Sequence, residues 1–286
     1  MQYPIIDTHV HTWNLQKVEY SWLNENKTIL NRTYLLDELT PEIQSAGVSR
    51  GVLVQAANNL EDTNYMLEQA VKYDWVDGVV AWLPLTDPVA TARILENDFA
   101  ANPYIKGIRH LIHNEANDAW LLQETVLESL SQLAILGIPY DLVGISLNHI
   151  ETALKVAEKI PDLNMVFDHL NQPPIAQKEK FGRWGQLMQE AACHKKFYAK
   201  ISGLGTSSGN FTDWTNDDLK PYVNFALENF GIDHCFCGGD WPVALLAGSY
   251  VKTWQAYQDI LGSLLNEADQ KQVLSTNASL FYNLKA

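Results

Sequence analysis

The sequence predicts an α/β protein in which eight strands alternate with helices to form a (β/α)8 TIM-like barrel. Eight short apolar segments alternate with helical segments along the 286 residues, as is typical of parallel strands buried on both faces. The first strand ends in histidines, whereas a doubly wound sheet usually carries a glycine-rich phosphate loop after an early strand. The predicted strands span residues 5–11, 51–56, 79–85, 105–110, 138–143, 165–170, 197–204 and 235–241.

Helix signals lie between these strands. Thr40-Pro41 predicts a helix start, because threonine is a good N-cap and proline suits the first helical position. Gly47 predicts the end of that helix, and Asp62 precedes the next periodic apolar run. No linker, repeat or low-complexity tract divides the chain, so residues 1–286 are predicted to form a single domain.

Composition and charge restrict the class of partner. Hydrophobic residues make up 47% and charged residues 19%, a globular composition, and the formal net charge is -14. This acidity argues against nucleic acids and anionic membranes as partners. Three cysteines without a C-x-x-C pair predict reduced thiols. With no signal peptide or membrane-length apolar segment visible, we expect a cytoplasmic location. The oligomeric state stays open.

Polar residues at the carboxyl ends of the predicted strands form the candidate active site, because a parallel barrel opens its site there. His9 and His11 end the first strand and project from one face, His169 belongs to the sixth strand, and Asp240 to the eighth. Three imidazoles and one carboxylate suit Zn²⁺ with an open position for water. The same four residues suit a metal-free site, in which imidazoles polarise a carbonyl and Asp240 deprotonates water. The sequence leaves both alternatives open.

Two cationic side chains are predicted to contact substrate. Arg109 ends the fourth strand and suits a substrate carboxylate or hydroxyls, with a salt bridge to Asp141 or Asp168 as the alternative. Lys200 lies in the seventh strand, and we expect it to contact substrate or Asp240 or, alternatively, to form a structural ion pair.

Aromatic residues and one carboxylate complete the candidates. Trp13, Trp22 and Trp241 are predicted to wall a pocket for a small polar ring. Asp7 shares a strand face with the histidines by alternation, and is predicted to orient a histidine ring. The segment 13–31 is long for a strand–helix connection, so it is expected to carry binding residues or to form a lid.

Several motifs, taken together, are fairly specific. They are Ile6-Asp7-Thr8-His9-Val10-His11-Thr12-Trp13, Lys106-Gly107-Ile108-Arg109-His110, Phe167-Asp168-His169-Leu170-Asn171-Gln172-Pro173-Pro174, Lys200-Ile201-Ser202-Gly203-Leu204 and Gly239-Asp240-Trp241-Pro242-Val243. Through these motifs, the chain resembles the amidohydrolase superfamily over nearly its whole length. More narrowly, it resembles amidohydrolase-2-type lactonases, which include fuconolactonase-like sugar lactone hydrolases and 2-pyrone-4,6-dicarboxylate lactonases. The resemblance implies a distorted barrel with the three histidines and Asp240 in its site, with or without zinc.

On this resemblance, the predicted activity is the opening of a sugar-acid lactone by water that Asp240 deprotonates. The three histidines, with or without a divalent metal, would stabilise the oxyanion. Arg109 is the one arginine among the strand ends, which favours a neutral sugar lactone over a dicarboxylate. The alternatives are a metal-dependent decarboxylase or amide hydrolase on the same scaffold, and a non-catalytic barrel that binds a sugar acid.

Overall fold

In the computed structural model, which describes residues 3–285, eight parallel strands form one sheet in the order β1 to β8. The backbone N–H of His11 donates to the carbonyl of Trp241 (2.7 Å), and that of Asp240 to His9 (2.7 Å), so β1 and β8 nearly close the barrel. The predicted fold class is confirmed. The strands are β1 (Ile5–Val10), β2 (Val48–Val54), β3 (Val76–Ala81), β4 (Ile105–His110), β5 (Tyr140–Leu142), β6 (Met165–Phe167), β7 (Phe197–Ile201) and β8 (Cys235–Cys237).

Helices connect consecutive strands, and neighbouring helices pack on one another around the sheet. Within the described residues, none of them combines the length and apolar character needed to cross a membrane. The helices are α1 (Leu36–Ser45), α2 (Leu60–Lys72), α3 (Pro88–Ile94), α4 (Glu124–Leu136), α5 (Leu147–Lys159), α6 (Gly182–Ala192), α7 (Leu204–Ser207), α8 (Asn216–Phe230), α9 (Tyr250–Leu264), α10 (Glu267–Lys271) and α11 (Asn277–Phe281).

The first helix begins earlier than Thr40-Pro41 predicts. α1 starts at Leu36 and contains Pro41. The carboxylate of Glu38 accepts a hydrogen bond from the backbone N–H of Leu35 (3.3 Å), which caps this earlier start. Thr40 is therefore an interior residue whose hydroxyl bonds back to the carbonyl of Leu36 (2.8 Å).

Helix α2 is capped by Asn59, and this leaves Asp62 free for another role. The Asn59 side chain accepts from the backbone N–H of Asp62 (2.8 Å). The buried Asp62 carboxylate accepts from the backbone N–H groups of Ala56 (2.7 Å) and Ala57 (3.1 Å) and from the hydroxyl of Tyr20 (2.9 Å). Asp62 therefore ties the segment after β1 to the loop after β2.

The interior of the barrel changes from apolar to charged along its axis. Helix α11 and the residues after it cover the amino-terminal end of the strands, where Lys106 donates to the carbonyl of Asn283 (2.9 Å). The Tyr282 hydroxyl donates to the Asp141 carboxylate (2.6 Å) at the point where charged side chains begin. The apolar interior cluster consists of Ile6, Val52, Val54, Val80, Val166, Phe236, Ala278, Phe281, Tyr282 and Leu284.

Candidate active site

The four residues predicted to do the chemistry converge at the carboxyl end of the barrel. The Nε2 atoms of His9 and His11 lie 3.1 Å apart, and the rings of His9 and His169 are 4.5 Å apart between centroids. Asp240 Oδ1 lies 3.6 Å from His11 Nε2 and 3.8 Å from His9 Nε2, and Asp240 Oδ2 lies 4.0 Å from His169 Nδ1. All four side chains are buried, so they face one another rather than solvent.

Left-handed backbone places two of these residues. The strands β6 and β8 end before their predicted limits, and the chain turns with φ near +55° at His169 and +57° at Asp240. Such angles cost about 1–2 kcal/mol per L-residue and persist only where surrounding contacts hold them. Gly203 provides the space, because a Cβ atom there would lie 2.7 Å from His169 Nδ1 and 3.0 Å from Asp240 Oδ2.

The hydrogen bonds of two histidines fix where their lone pairs point. His11 Nδ1 lies 2.7 Å from the carbonyl of Val54, which can only accept, so Nδ1 carries the proton and Nε2 a lone pair. His9 Nδ1 lies 3.4 Å from the Asp168 carboxylate, which can accept its proton, and Nε2 lies 3.3 Å from Arg109 Nη1, which can only donate, so the tautomer with the lone pair on Nε2 suits both contacts. Two lone pairs and the Asp240 carboxylate thus surround one point, an arrangement that suits a cation or a proton.

Burial favours the neutral form of His9 and of His169. It lowers the pKa of His9 well below its usual range, although the neighbouring Asp168 carboxylate acts in the opposite direction. It also lowers the pKa of His169, with Asp240 opposing the shift. Neutral imidazoles are the form that binds metals and accepts protons.

A buried ionic network lies beneath the histidines. Lys200 Nζ is 2.6 Å from Asp141 Oδ2 and 2.7 Å from Asp168 Oδ1, and Arg109 Nη1 is 2.9 Å from Asp168 Oδ2. Burial alone would raise the pKa of Asp168, but Lys200, His9 and Arg109 outweigh it and hold the pKa well below its usual range. Two cations and two anions balance, and Asp168 Oδ1 lies 3.4 Å from His9 Nδ1.

Lys200 and Arg109 differ in how they reach the cavity above this network. Lys200 has no exposed surface and does not line the cavity, so the predicted substrate contact is wrong and the alternative, a structural ion pair, is what forms. Arg109 does line the cavity, but its guanidinium also donates to the side-chain oxygen (3.0 Å) and the carbonyl of Gln55. Its predicted salt bridge to Asp168 is present, and its contact with substrate stays a prediction.

Asp7 lies away from the imidazole rings. Its carboxylate accepts from the backbone N–H groups of His9 (2.9 Å) and Gly239 (2.8 Å), the hydroxyl of Tyr250 (2.8 Å) and the indole of Trp254 (3.3 Å). Strict alternation fails because the pairing of β1 with β2 shifts register after Asp7. The prediction that Asp7 orients a histidine ring is therefore corrected: it positions the backbone of β1 against β8 and α9.

Two of the three predicted tryptophans wall a cavity of about 280 Å³ above the histidines. Trp13 and Trp22 line it together with His11, His169 and Asp240. Trp241 is buried behind this wall, with its ring 5.5 Å from that of Tyr34 between centroids, and is not among the cavity-lining residues. The other lining residues are Ala56, Arg109, Leu111, His113, Asn114, Val143, Ile145, Gln172, Thr206 and Val243.

The segment 13–31 is anchored over this cavity by buried hydrogen bonds. The indole of Trp22 donates to the carbonyl of Ala56 (2.8 Å), and that of Trp13 to the carbonyl of Arg32 (2.6 Å). The segment thus carries cavity-lining residues, as its length predicted. Whether it also acts as a lid stays a prediction.

Sequence reasoning missed His113, Asn114, Gln172 and Thr206, which are polar and line the cavity. They lie in turns after strands or in the short helix α7, where neither alternation nor spacing indicates which way a side chain points. Only Gln172 had a signal, because it belongs to the motif that contains His169.

Comparisons with known proteins identify the family of this chain. Residues 6–284 match the family model described as Amidohydrolase. The chain is 29% identical over 282 residues to an L-fucono-1,5-lactonase of Burkholderia ambifaria, covering 98% of this chain and 95% of the relative. It is 22% identical over 340 residues to an L-rhamnono-gamma-lactonase of Scheffersomyces stipitis, covering 99% of each. An amidohydrolase from Burkholderia multivorans, solved with bound zinc, has a TM-score of 0.90 at 25% identity, covering 99% of this chain and 100% of that one.

Proposed function

The chain belongs to the amidohydrolase family, as its motifs predicted, and on that premise we propose that it hydrolyses the lactone of a sugar acid. The observation that carries the proposal is the convergence of Asp240 on His9 and His11 at the floor of a small cavity. The similarity to two relatives named as sugar lactonases supports the substrate class.

Asp240 is the general base and then the general acid. Its carboxylate takes a proton from a water molecule as the water oxygen attacks the lactone carbonyl carbon. The ring carbon–oxygen bond of the resulting tetrahedral intermediate then breaks, and the same proton passes from Asp240 to the departing ring oxygen. The product is the open hydroxy acid, and Asp240 is again a carboxylate.

The Nε2 lone pairs of His9 and His11 point into the site, so these rings would stabilise the negative charge that develops on the carbonyl oxygen by holding a divalent metal, which their donor set fits. The two Nε2 atoms, 3.1 Å apart, have about the separation of two nitrogens that bind one tetrahedral zinc ion. His9, His11 and Asp240 would hold such an ion, and the ring of His169 lies 4.5 Å from that of His9 between centroids. A bound metal would supply Lewis-acid polarisation of the carbonyl. We therefore include one divalent metal, with zinc first, in the proposal.

An uncharged lactone fits the cavity better than a dicarboxylate. Over residues 3–285, Arg109 is the single lysine or arginine that lines the cavity, and its guanidinium is engaged by Asp168 and Gln55. A second carboxylate on the substrate would therefore be buried without a cation, which is costly. Trp22, which is half-buried and lines the cavity, offers flat apolar surface to the carbon face of a sugar ring, and the buried Trp13 packs behind it with ring centroids 5.4 Å apart.

The test is a hydrolysis screen with a pH indicator, run on L-fucono-1,5-lactone, L-rhamnono-1,4-lactone and other aldonolactones, with metal content measured in parallel. We expect hydrolysis of at least one sugar lactone. An aromatic carboxylic acid and an amide in the same panel test for the decarboxylase and the amide hydrolase. A thermal shift with a sugar lactone, without turnover of any compound, would instead indicate a non-catalytic binding protein.

Replacing Asp240 with asparagine tests the role of this residue. Asp240→Asn removes the proton acceptor and keeps the shape, so we expect kcat to fall by about 10²–10⁴-fold with the fold intact. Asp162→Asn is the matched control, because Asp162 is exposed at the opposite end of the barrel, between α5 and β6. Near-normal turnover of a lactone by Asp240→Asn would show that another group deprotonates the water.

A further inference from the structure

One cavity-lining side chain has no assigned task in this reaction. His113 lies just after β4 in a short turn, Ile112–Asn114, and its ring lines the same cavity as His11, His169 and Asp240. Its Nδ1 atom is buried without a hydrogen-bond partner, whereas the backbone carbonyl of Val143 lies close enough to the ring to act on its pKa.

The nearby His110 differs from His113 in this respect. His110 Nε2 lies 2.7 Å from the Glu115 carboxylate and 3.0 Å from the side-chain nitrogen of Asn58, and Nδ1 accepts from the indole of Trp82 (3.1 Å). Both ring nitrogens of His110 are therefore satisfied by the protein, as is usual for a buried histidine. The ring of His113, by contrast, still has hydrogen-bonding capacity and lies on a cavity.

Burial and the positive charge of Arg109 lower the pKa of His113 to about 4. The ring is therefore neutral at pH 7, with one N–H donor and one lone pair. A neutral ring does not attract a carboxylate by charge. It matches a hydroxyl group, which can both donate and accept, whichever nitrogen carries the proton.

We propose that His113 is a specificity-determining residue that hydrogen-bonds one ring hydroxyl of the sugar lactone. This inference about His113 rests on the proposed function, and it identifies the residue that recognises one hydroxyl group of the substrate. The buried apolar residues Leu111 and Val143 line the same cavity, so a hydrogen bond made beside them is partly shielded from water. A substrate that lacks the hydroxyl leaves a buried polar atom unpaired, which is how such sites discriminate between ligands.

The experiment compares wild-type protein and His113→Phe on L-fucono-1,5-lactone and its 2-deoxy, 3-deoxy and 4-deoxy analogues. We expect wild-type kcat/KM to fall about 10- to 100-fold for one analogue and little for the other two. His113→Phe keeps the ring and loses both nitrogens. Its kcat/KM on the full lactone should fall by a similar factor, whereas its kcat/KM on that one analogue should equal that of the wild type. A histidine needed only for structure would instead lower kcat/KM on all four lactones by the same factor.

Two control variants and the wild-type results on the same panel keep the test decisive. His113→Gln retains a donor and an acceptor, so it should recover part of the lost kcat/KM on the full lactone. His234→Gln, at a half-buried ring between α8 and β8 and outside the cavity, should leave the whole panel unchanged. If His113→Phe does not fold, the wild-type panel decides, because equal kcat/KM for all three deoxy analogues overturns the proposal. Failure of the wild type to hydrolyse any lactone would instead contradict the proposed function.

Discussion

Lys200 places a positive charge where no water reaches it. Its ammonium group is fully buried between the carboxylates of Asp141 and Asp168, and it lies 3.3 Å from His9 Nδ1. A charge at such depth is tolerated only when its partners balance it. Lys200 therefore influences the site indirectly, because it holds the Asp168 carboxylate beside the His9 ring.

We predict that Lys200→Met lowers the free energy of unfolding by about 3–5 kcal/mol, because it leaves two buried carboxylates short of a cation. Urea unfolding followed by circular dichroism measures the change. The matched control is Lys17→Met, which removes an exposed pair with Glu68 (2.9 Å) and should leave the transition nearly unchanged. Equal stability of Lys200→Met and the wild type would mean that the ionic network does not support the fold.

At the scale of elements, the junction between β7 and α7 supports the site. Gly203 adopts φ of +59° there, and its missing side chain leaves room for His169 and Asp240. Any larger residue must move one of these two groups or the backbone that carries it.

We predict that Gly203→Ala lowers kcat for lactone hydrolysis by about 10- to 100-fold, since displacements near 1 Å have effects of this size. Gly137→Ala is the matched control, with φ of +67° and no atom within 4 Å of the added Cβ. It carries the same backbone strain, so it should lower stability by about 1 kcal/mol and leave kcat unchanged. If both variants lose kcat equally, backbone strain rather than the contact with the site explains the loss.

The sequence predicted the eight strands because each carries its own apolar pattern, but it could not predict where the strands end. The sixth strand is expected from its pattern to run through Leu170, yet β6 stops at Phe167. Beyond Phe167 the backbone turns left-handed, and the His169 N–H donates to Ser202 Oγ (3.2 Å), a partner after a different strand. Conformations that depend on such distant contacts have no local signal.

At the scale of the whole molecule, the predicted site residues differ from the missed ones in whether a local sequence pattern marks their position. The three histidines and Asp240 could be predicted because each ends a strand within a motif. The hydrogen bond from the Tyr282 hydroxyl to the Asp141 carboxylate joins positions 141 residues apart, and no sequence pattern predicts it. His113 was missed for a related reason, since its turn after β4 has no periodicity.

The attachment of segment 13–31 to the barrel is predicted to depend on pH through Asp62. Burial raises the pKa of Asp62 to about 6, whereas the unfolded chain titrates near 3.8. The folded state therefore binds the proton more tightly, so the contribution of Asp62 to stability is fully present below about pH 4 and is lost as pH rises through 6. Between pH 4 and 7 the wild type should lose roughly 2–3 kcal/mol of unfolding free energy relative to Asp62→Asn, which does not titrate.

Tyr20→Phe removes one donor to the Asp62 carboxylate and keeps the titrating group, so the pH dependence of its stability should be at least as steep as that of the wild type. Urea unfolding at half-unit pH intervals measures all three curves, and parallel curves for the wild type and Asp62→Asn would contradict the prediction.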